Sequence, residues 1–184
     1  ISAVAFAPNY PEDPRMFVAS PGTINLFLVS ADGGYTWKPT RSGIRGQVFR
    51  EIVLASDWTE SGVTYVITED GGLQVSEDHG KTWGDPVCSK RLRFLAAPPV
   101  ASDGVRAVFF ATGGDLFASY DGGATNRHLF KPERGHIEAI AVSPEYEQDE
   151  TLFVALSDAQ LMISRDGGAT WTATKAPAPV THVE

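Results

Sequence analysis

An eight-residue pattern that occurs four times constrains the fold of this chain more than any other feature of its sequence. The copies are SADGGYTW from Ser30, SEDHGKTW from Ser76, SYDGGATN from Ser119 and SRDGGATW from Ser164. Their aspartates are 46, 43 and 45 residues apart, at Asp32, Asp78, Asp121 and Asp166. Regular spacing of this length indicates a fold built from one repeated structural unit.

A second marker repeats in phase with the first and indicates how each unit is organised. It reads AFAPNY at Ala5, VLASDW at Val53, LAAPPV at Leu95 and AVSPEY at Ala141. In the first unit, apolar stretches precede and follow a polar turn at 9–15, a third stretch leads into the eight-residue pattern, and a fourth follows it. Four short strands in about 45 residues are typical of one blade of a β-propeller.

The sequence therefore predicts an all-β fold, a β-propeller of four-stranded antiparallel blades, with four blades in this chain as a single propeller or part of one. The predicted blades span about 1–44, 45–90, 91–135 and 136–180. Residues 181–184 resemble the start of a further blade, because His182-Val183-Glu184 repeats the pattern of His136-Ile137-Glu138. Three arrangements stay open: a fragment of a larger propeller, a half-ring that pairs with a second copy, and a closed four-blade ring.

The S-x-D-x-G-x-T-W pattern resembles the Asp-box, or BNR, repeat of sialidase-like, sortilin-like and photosystem II assembly factor-like propellers and of some xyloglucan-cleaving glycosidases. The resemblance covers the whole chain, four times. It implies the propeller fold and an extracellular, periplasmic or cell-surface location, because Asp-box families are mostly exported. It does not specify an activity, because one fold carries many functions.

Within each copy, the residue types indicate a hairpin that is stabilised by its own side chains. The aspartate accepts hydrogen bonds from turn amides, the glycines supply positive φ, the serine hydroxyl binds the strand end, and the tryptophan packs on the sheet. The third copy has Asn126 in place of tryptophan, so we expect that blade to pack less well or to be covered differently. The residues assigned this structural role are Ser30, Asp32, Gly34, Trp37, Ser76, Asp78, Gly80, Trp83, Ser119, Asp121, Gly123, Ser164, Asp166, Gly168 and Trp171.

Composition and charge exclude several classes of function. With 23 acidic and 15 basic residues, the formal charge of −8 argues against a nucleic-acid-binding protein. No apolar run is long enough to cross a bilayer, so we expect no membrane insertion. The single cysteine, Cys88, excludes an internal disulfide and a cysteine metal site, and the hairpins lack the further acids of a calcium loop. The sequence therefore predicts neither a cofactor nor a metal.

Charge is divided between the turns that a propeller places on its two faces. Eleven basic and two acidic residues lie in the links between successive blades, at 38–50, 84–93, 127–136 and 172–182. Nine acidic residues and one basic residue lie in the turns between first and second strands, at 9–15, 57–62, 98–104 and 145–150. One face is therefore predicted to be basic, and the face with the Asp-boxes to be acidic.

The predicted basic face supplies candidate binding residues for a carboxylate-bearing glycan or an acidic protein segment, because guanidinium groups pair with carboxylates through two parallel hydrogen bonds. The alternative is that these cations only prevent edge-to-edge strand pairing and aid solubility. The candidates are Arg41, Arg45, Arg91, Arg93 and Arg134.

No catalytic constellation is evident in the sequence. A sialidase needs a tyrosine with a glutamate partner, and no tyrosine has an evident partner on the basic face. A two-carboxylate glycosidase needs two acids at a set separation, whereas Glu69, Asp70, Asp115 and Asp158 are better explained as turn formers.

The sequence thus favours a non-catalytic binding or scaffolding module. It would engage a protein or an anionic glycan through its basic face, or associate with itself through exposed blade ends. The alternatives are a sialidase-like or xyloglucanase-like glycoside hydrolase fragment, and a structural subunit of a surface layer or filament.

Overall fold

The strands of this protein form separate antiparallel sheets, each made of consecutive segments of the chain. The computed structural model describes residues 2–20, 26–40, 43–46 and 48–175. Within those residues there are four sheets, two in each of the compact units Ile1–Arg93 and Phe94–Glu184. The predicted start of a further blade at 181–184 lies outside the described residues.

The first unit contains a sheet with the order β1-β2-β3-β4 and a sheet with the order β5-β6-β7. A one-turn helix, α1 (Trp58–Ser61), lies between β5 and β6. The strands are β1 (Ala3–Phe6), β2 (Met16–Ser20), β3 (Leu26–Ser30), β4 (Lys38–Pro39), β5 (Phe49–Leu54), β6 (Thr64–Thr68) and β7 (Gly72–Ser76).

The second unit contains sheets with the orders β8-β9-β10-β11 and β12-β13-β14-β15. A one-turn helix, α2 (Tyr146–Asp149), lies between β12 and β13. The strands are β8 (Phe94–Ala96), β9 (Val108–Ala111), β10 (Leu116–Ser119), β11 (Arg127–Phe130), β12 (Ile137–Val142), β13 (Leu152–Leu156), β14 (Gln160–Ser164) and β15 (Thr172–Lys175). Sequential antiparallel sheets of this size are propeller blades, so the predicted fold class is confirmed.

The second blade departs from the predicted four strands, because in its described residues the fourth strand is reduced to isolated bridge residues, Thr82 and Cys88, of which Cys88 pairs with Leu73. Gly84 N–H donates to Val75 O at 3.0 Å and Val87 N–H donates to Leu73 O at 2.9 Å, so the pairing register changes between these two bonds. Pro86 lies between them. A proline has no N–H to donate, which interrupts a regular ladder.

Buried Gln74 on β7 hydrogen-bonds the backbone at this irregular edge. Its Oε1 accepts from Arg45 N–H at 2.7 Å, and its Nε2 donates to Gly43 O at 3.1 Å and Gly84 O at 2.8 Å. The side chain is 0% exposed, so these groups have no access to water there. Gly72 is also required, because its φ is +74° and a Cβ would lie 1.7 Å from the carbonyl oxygen of Cys88.

Aromatic rings join the two sheets within each unit. In both units, a phenylalanine of one sheet contacts the aromatic residue that begins the one-turn helix, and a second phenylalanine contacts the tryptophan of the next hairpin. The ring-centroid distances are 5.7 Å for Phe17–Trp58, 5.3 Å for Phe27–Trp83, 5.1 Å for Phe109–Tyr146 and 4.8 Å for Phe130–Trp171. The hairpins therefore contribute directly to packing between blades.

Each of the four hairpins has the same pattern of hydrogen bonds. In each copy the serine hydroxyl donates to aspartate Oδ1 at 2.7–2.8 Å and accepts from the amide of the second glycine position at 2.8–2.9 Å. The threonine amide also donates to Oδ1, at 2.8–2.9 Å, and the threonine hydroxyl donates to Oδ2. The hydrogen bonds from threonine and serine lower the pKa of Asp32, Asp121 and Asp166 to about 2.

The tryptophans add a bond that the third hairpin does not have. The indole N–H donates to the glycine carbonyl in the pairs Trp37–Gly34 at 2.9 Å, Trp83–Gly80 at 3.2 Å and Trp171–Gly168 at 3.1 Å. Asn126 has no ring N–H and is exposed. The packing of the third blade therefore differs from that of the others at this position.

Replacing Gln74 by leucine is expected to lower the free energy of unfolding by about 2 kcal/mol, because it removes three hydrogen bonds from a buried side chain to the backbone of Gly43, Arg45 and Gly84. Urea denaturation measures the change. Gln160→Leu makes the same substitution at a half-buried site on β14 and is expected to cost under about 1 kcal/mol. Equal losses in both variants would contradict the role assigned to Gln74.

Asp166→Asn is expected to reduce the acid sensitivity of the fold. The pKa of Asp166 is about 2 in the folded chain, against an ordinary 3.8, so its stabilising effect is complete above pH 3.8 and is lost as the pH falls towards 2. The variant should therefore be less stable at neutral pH and lose less stability over that interval. Urea midpoints at several pH values test this, with Asp158→Asn, in an exposed turn outside the hairpins, as the control that keeps the wild-type slope.

Candidate functional site

The candidate arginines lie in different surroundings. Arg45 forms an ion pair with Asp85, and the two side chains are 65% and 83% exposed. Arg91 and Arg93 are also exposed and belong to the same unit as Arg45, whereas Arg134 belongs to the second unit. Arg41 lies outside the described residues.

Acidic side chains neutralise part of the positive charge of the links between blades. Besides Arg45–Asp85, link residues in the described part of the chain form the pair Arg50–Glu69 at 2.7 Å. When the imidazole is protonated, they also form the pairs His128–Asp115 at 3.0 Å and His136–Glu138 at 2.6 Å. Glu69 and Asp115 lie in turns between second and third strands, which sequence analysis placed on the same face as the links. A count of charges in the links alone therefore overestimates the positive charge of that face.

Arg134 lines a cleft of about 570 Å³ in the second unit. One wall is the link after β11, and the other is formed by fourth-blade residues on and around β14. We call this the link cleft; its lining includes Phe130, Lys131, Arg134, Asp158, Met162 and Trp171. Arg134 is thus a candidate arginine that the structure places at a concave site.

An aromatic platform forms part of the link cleft. The rings of Phe130 and Trp171 have centroids 4.8 Å apart and planes inclined at 41°. The bond from the Trp171 indole N–H to Gly168 O fixes the orientation of that ring. Both side chains are half-buried, so each keeps a surface that a ligand can contact. Such rings suit the apolar face of a sugar or the apolar part of a peptide.

Charged groups surround the platform. In the described lining, Lys131 and Arg134 carry positive charge, and Glu133 and Asp158 carry negative charge; all four side chains are exposed. Arg134 can pair with a carboxylate through two N–H groups, and Lys131 can add a second cation. The arrangement can therefore orient an acidic group while the rings contact the apolar body of the same ligand.

Sequence reasoning selected Arg134 as a candidate but did not select the platform. It assigned Trp171 a structural role only and did not select Phe130. The available signal was an aromatic residue in the fourth strand of the third blade, directly before the basic Lys131 and one repeat ahead of a hairpin tryptophan. The contact between these rings depends on the packing of two blades, which the spacing alone does not specify.

Tyr146, which sequence analysis left without a partner, forms a hydrogen bond with Tyr120 between the two hydroxyls at 3.2 Å. Burial, followed by this hydrogen bond, raises the pKa of Tyr146 above its ordinary value, so the hydroxyl is protonated at neutral pH. In the described part of the chain, no three or more His, Cys, Asp or Glu side chains are grouped to hold a metal ion. No helix in those residues is long and apolar enough to cross a membrane.

Comparison with known proteins gives similarity in one hairpin and in overall fold. The model of the BNR/Asp-box repeat matches residues 162–173, which include the whole fourth copy of the pattern, from Ser164 to Trp171. No curated protein sequence matches the chain.

Several solved structures are similar. The GH74 xyloglucanase from Xanthomonas campestris has 23% identity and a TM-score of 0.69, over 95% of this chain and 30% of that enzyme. An ancestral GH74 enzyme has 17% identity and a TM-score of 0.74, over 96% of this chain and 24% of its own. A chain of a nidogen/laminin complex has 11% identity and a TM-score of 0.70, over 96% of this chain and 65% of that chain.

These similarities bear on fold and not on activity. The chain spans less than a third of the length of the GH74 enzymes and under two thirds of the chain from the nidogen/laminin complex. Identities this low show a shared fold alone. Taken with the four hairpins and their antiparallel sheets, they identify the chain as a β-propeller that carries BNR/Asp-box repeats.

Proposed function

We propose that the protein is a non-catalytic binding module that engages an anionic glycan, or an acidic segment of a protein, through the link cleft. One observation carries this proposal: Phe130 and Trp171 form an aromatic platform in the same cleft as Lys131 and Arg134. A ligand with an apolar face and a carboxylate matches both features at once. Arg91 and Arg93 are proposed as separate binding residues of the first unit.

The resemblance of the hairpins to those of exported propellers supports an extracellular, periplasmic or cell-surface location. Acidic polysaccharides and matrix proteins are ligands available in those locations. The proposed role needs neither a cofactor nor a metal, because charge pairing and ring stacking provide the recognition.

Polygalacturonate, an acidic polysaccharide, is a suitable first probe for the link cleft. We expect Arg134→Glu to weaken its binding at least tenfold, since the change replaces an attractive charge by a repulsive one. Arg165→Glu makes the same charge change at an exposed position of the fourth blade outside the link cleft. It should weaken binding less than threefold. Calorimetric titration at two salt concentrations provides the measurement. Equal losses in both variants would mean that binding follows net charge and not the cleft.

A glycoside hydrolase is the second candidate function, and it is an enzymatic one. Two of the similar structures are GH74 enzymes, and the link cleft contains the carboxylates Glu133 and Asp158. A glycosidase needs two carboxylates about 5 to 9 Å apart across the scissile bond. Incubation with xyloglucan followed by a reducing-end assay tests this. Hydrolysis that Glu133→Gln or Asp158→Asn abolishes would replace the binding proposal.

Exposed apolar residues on the first blade favour a further role in self-association. On β1, Val4 is 44% and Phe6 50% exposed, and nearby Tyr10 is 45% exposed. The repeat-equivalent residues Ile52 and Trp58 are 6% and 0% exposed, because they pack on the preceding blade. The face around Phe6 thus has the residues of a blade–blade contact without a described partner on it.

We propose that a second copy of this chain covers this face. The fourth blade has Phe153, Leu161 and Ile163 half-buried, at the repeat positions of Phe17, Phe27 and Val29, which pack against the second blade. Contact between a Phe6 face and a Phe153 face would repeat the packing found within the units. Such a head-to-tail contact is not self-limiting, which also accommodates a structural subunit of a filament or surface layer.

Phe6→Asp is expected to reduce this association. Light scattering of the wild-type protein should give a mass that rises above the 19.8 kDa of the chain with increasing concentration. The variant should stay at the monomer mass, because a carboxylate in an apolar contact costs several kcal/mol. Tyr35→Asp, at a residue that is 91% exposed in a hairpin turn, is the control and should associate as the wild type does. A wild-type protein that is monomeric at all concentrations would refute the proposal.

A further inference from the structure

A cavity of about 390 Å³ lies in the second unit among the turns that carry the Asp-boxes, and the proposed function does not use it. The side chains of Tyr120 and Tyr146 form its aromatic part, and Ala107 and Gly167 are small residues in its lining. We call it the Asp-box cavity. Its described lining also carries the carboxylates of Asp103, Glu147, Glu150 and Asp166.

The internal repeat shows which residues of the first unit occupy the equivalent positions. Met16 pairs with Ser30 and Val108 pairs with Ser119, so the residues that precede them, Arg15 and Ala107, are equivalent. Trp58 and Tyr146 are equivalent because each begins the one-turn helix of its blade.

A third equivalence comes from the hairpins. His79 N–H donates to Gly62 O at 3.0 Å, and Gly167 N–H donates to Glu150 O at 3.1 Å. Gly62 and Glu150 each end a one-turn helix with positive φ. His79 and Gly167 therefore occupy the same place in the repeat.

In the first unit, a guanidinium group and an imidazole ring cover the central aromatic residue. The Arg15 guanidinium carbon lies 4.3 Å from the centroid of the Trp58 ring, and the His79 ring lies 4.8 Å from it. Arg15 Nε also donates to both carboxylate oxygens of Asp13, at 2.8 and 2.9 Å. The chain thus builds a cation site here from an aromatic face and a carboxylate, and fills it with its own arginine.

In the second unit the aromatic base is present, but smaller residues replace Arg15 and His79. Tyr146 packs against Phe109 at 5.1 Å, as Trp58 packs against Phe17 at 5.7 Å. The covering positions, however, are Ala107 and Gly167, and both line the cavity. Tyr120 takes part of this space, since its hydroxyl lies 3.2 Å from that of Tyr146, which is 9% exposed. The rest of the space is open to the cavity.

The charges around the Asp-box cavity favour a cation. Its described lining has four carboxylates and one guanidinium, that of Arg127. Arg127 lies at 5.2 Å over the ring of Tyr120 and donates to its hydroxyl at 3.3 Å, so it covers the neighbouring ring and not Tyr146. The Glu150 carboxylate and the Tyr146 hydroxyl converge near Gly167, where a Cβ would lie 3.8 Å from Glu150 Oε2 and 3.2 Å from Tyr146 Oη.

We propose that the Asp-box cavity binds a guanidinium group, which contacts the exposed part of Tyr146 beside Tyr120 and pairs with Glu150. It would take the place that Arg15 takes on Trp58 in the first unit. The group comes either from an arginine side chain of a partner protein or from a free guanidinium compound. Aromatic and carboxylate contacts together distinguish it from neutral ligands of the same shape.

Calorimetric titration with matched probes tests this on the full chain. The probes are the peptide acetyl-Gly-Arg-Gly-amide, the same peptide with neutral citrulline, and agmatine, a free guanidinium compound. We expect at least one arginine-type probe to bind at least tenfold more tightly than the citrulline peptide. Tighter binding of the peptide indicates a protein partner, and tighter binding of agmatine indicates a small molecule. Equal affinity for the citrulline peptide, or no binding of any probe, overturns the proposal.

Three variants locate the binding. Ala107→Arg places in the cavity the side chain that the first unit has there, and it should abolish binding of the guanidinium probe. Glu150→Gln, at an exposed residue, should weaken binding about tenfold and keeps the test valid if the first variant does not fold. Glu133→Gln, in the link cleft, is the matched control and should bind as the wild type does.

Arg127→Ala distinguishes a cation site from an anion site. Removal of a like charge from the lining should leave guanidinium binding unchanged or strengthen it up to tenfold. Loss of probe binding in this variant would show that Arg127 is the recognising group and would overturn the proposal. Binding of polygalacturonate to the Ala107→Arg, Glu150→Gln and Arg127→Ala variants should not change, so failure at one site is distinguishable from failure at the other.

Discussion

The hydrogen bonds of aspartate to serine and threonine within each hairpin are the interaction on which the rest of the structure depends. They fix the angle between the third strand and the chain that follows, and so they fix where the hairpin tryptophan points. Trp83 and Trp171 then reach Phe27 and Phe130 of the other sheet in their unit. Because a propeller blade is covered on both faces by its neighbours, an error in this angle would disturb packing beyond the hairpin itself.

Because the hairpin holds the backbone in the same way in each repeat, a single substitution at a repeat position changes the local surface of one blade. At the position before the second strand, the four blades carry Arg15, Val63, Ala107 and Thr151. One backbone bond near this position is the same in all four blades: the preceding residue accepts from the hairpin, in the pairs Pro14–Gly33, Gly62–His79, Arg106–Gly122 and Glu150–Gly167. A cavity forms where the first unit has a packed arginine. Repeats of this kind can therefore diversify ligand sites without a change of fold.

The sequence was sufficient for the features that repeat and insufficient for those that occur once. The hairpins, the apolar strands and the blade architecture follow from periodicity, because every repeat contains the same sequence pattern. The irregular edge of the second blade depends on Pro86 and on a buried Gln74 whose partners are distant in sequence. Likewise Arg134 was recognisable as a surface cation, but the platform beside it needs two blades to meet, and the Arg45–Asp85 pair spans a whole repeat.

The fourth hairpin connects the two candidate sites of the second unit. Its Asp166 and Gly167 line the Asp-box cavity, and its Trp171 belongs to the platform of the link cleft. Gly168, between them in sequence, accepts the indole hydrogen bond that orients Trp171. A ligand that shifts the turn at Gly167 would therefore act on the ring at the other site through three residues of backbone. Because the Asp166 carboxylate holds that turn with several hydrogen bonds, such a shift is opposed, and the two sites are expected to bind independently.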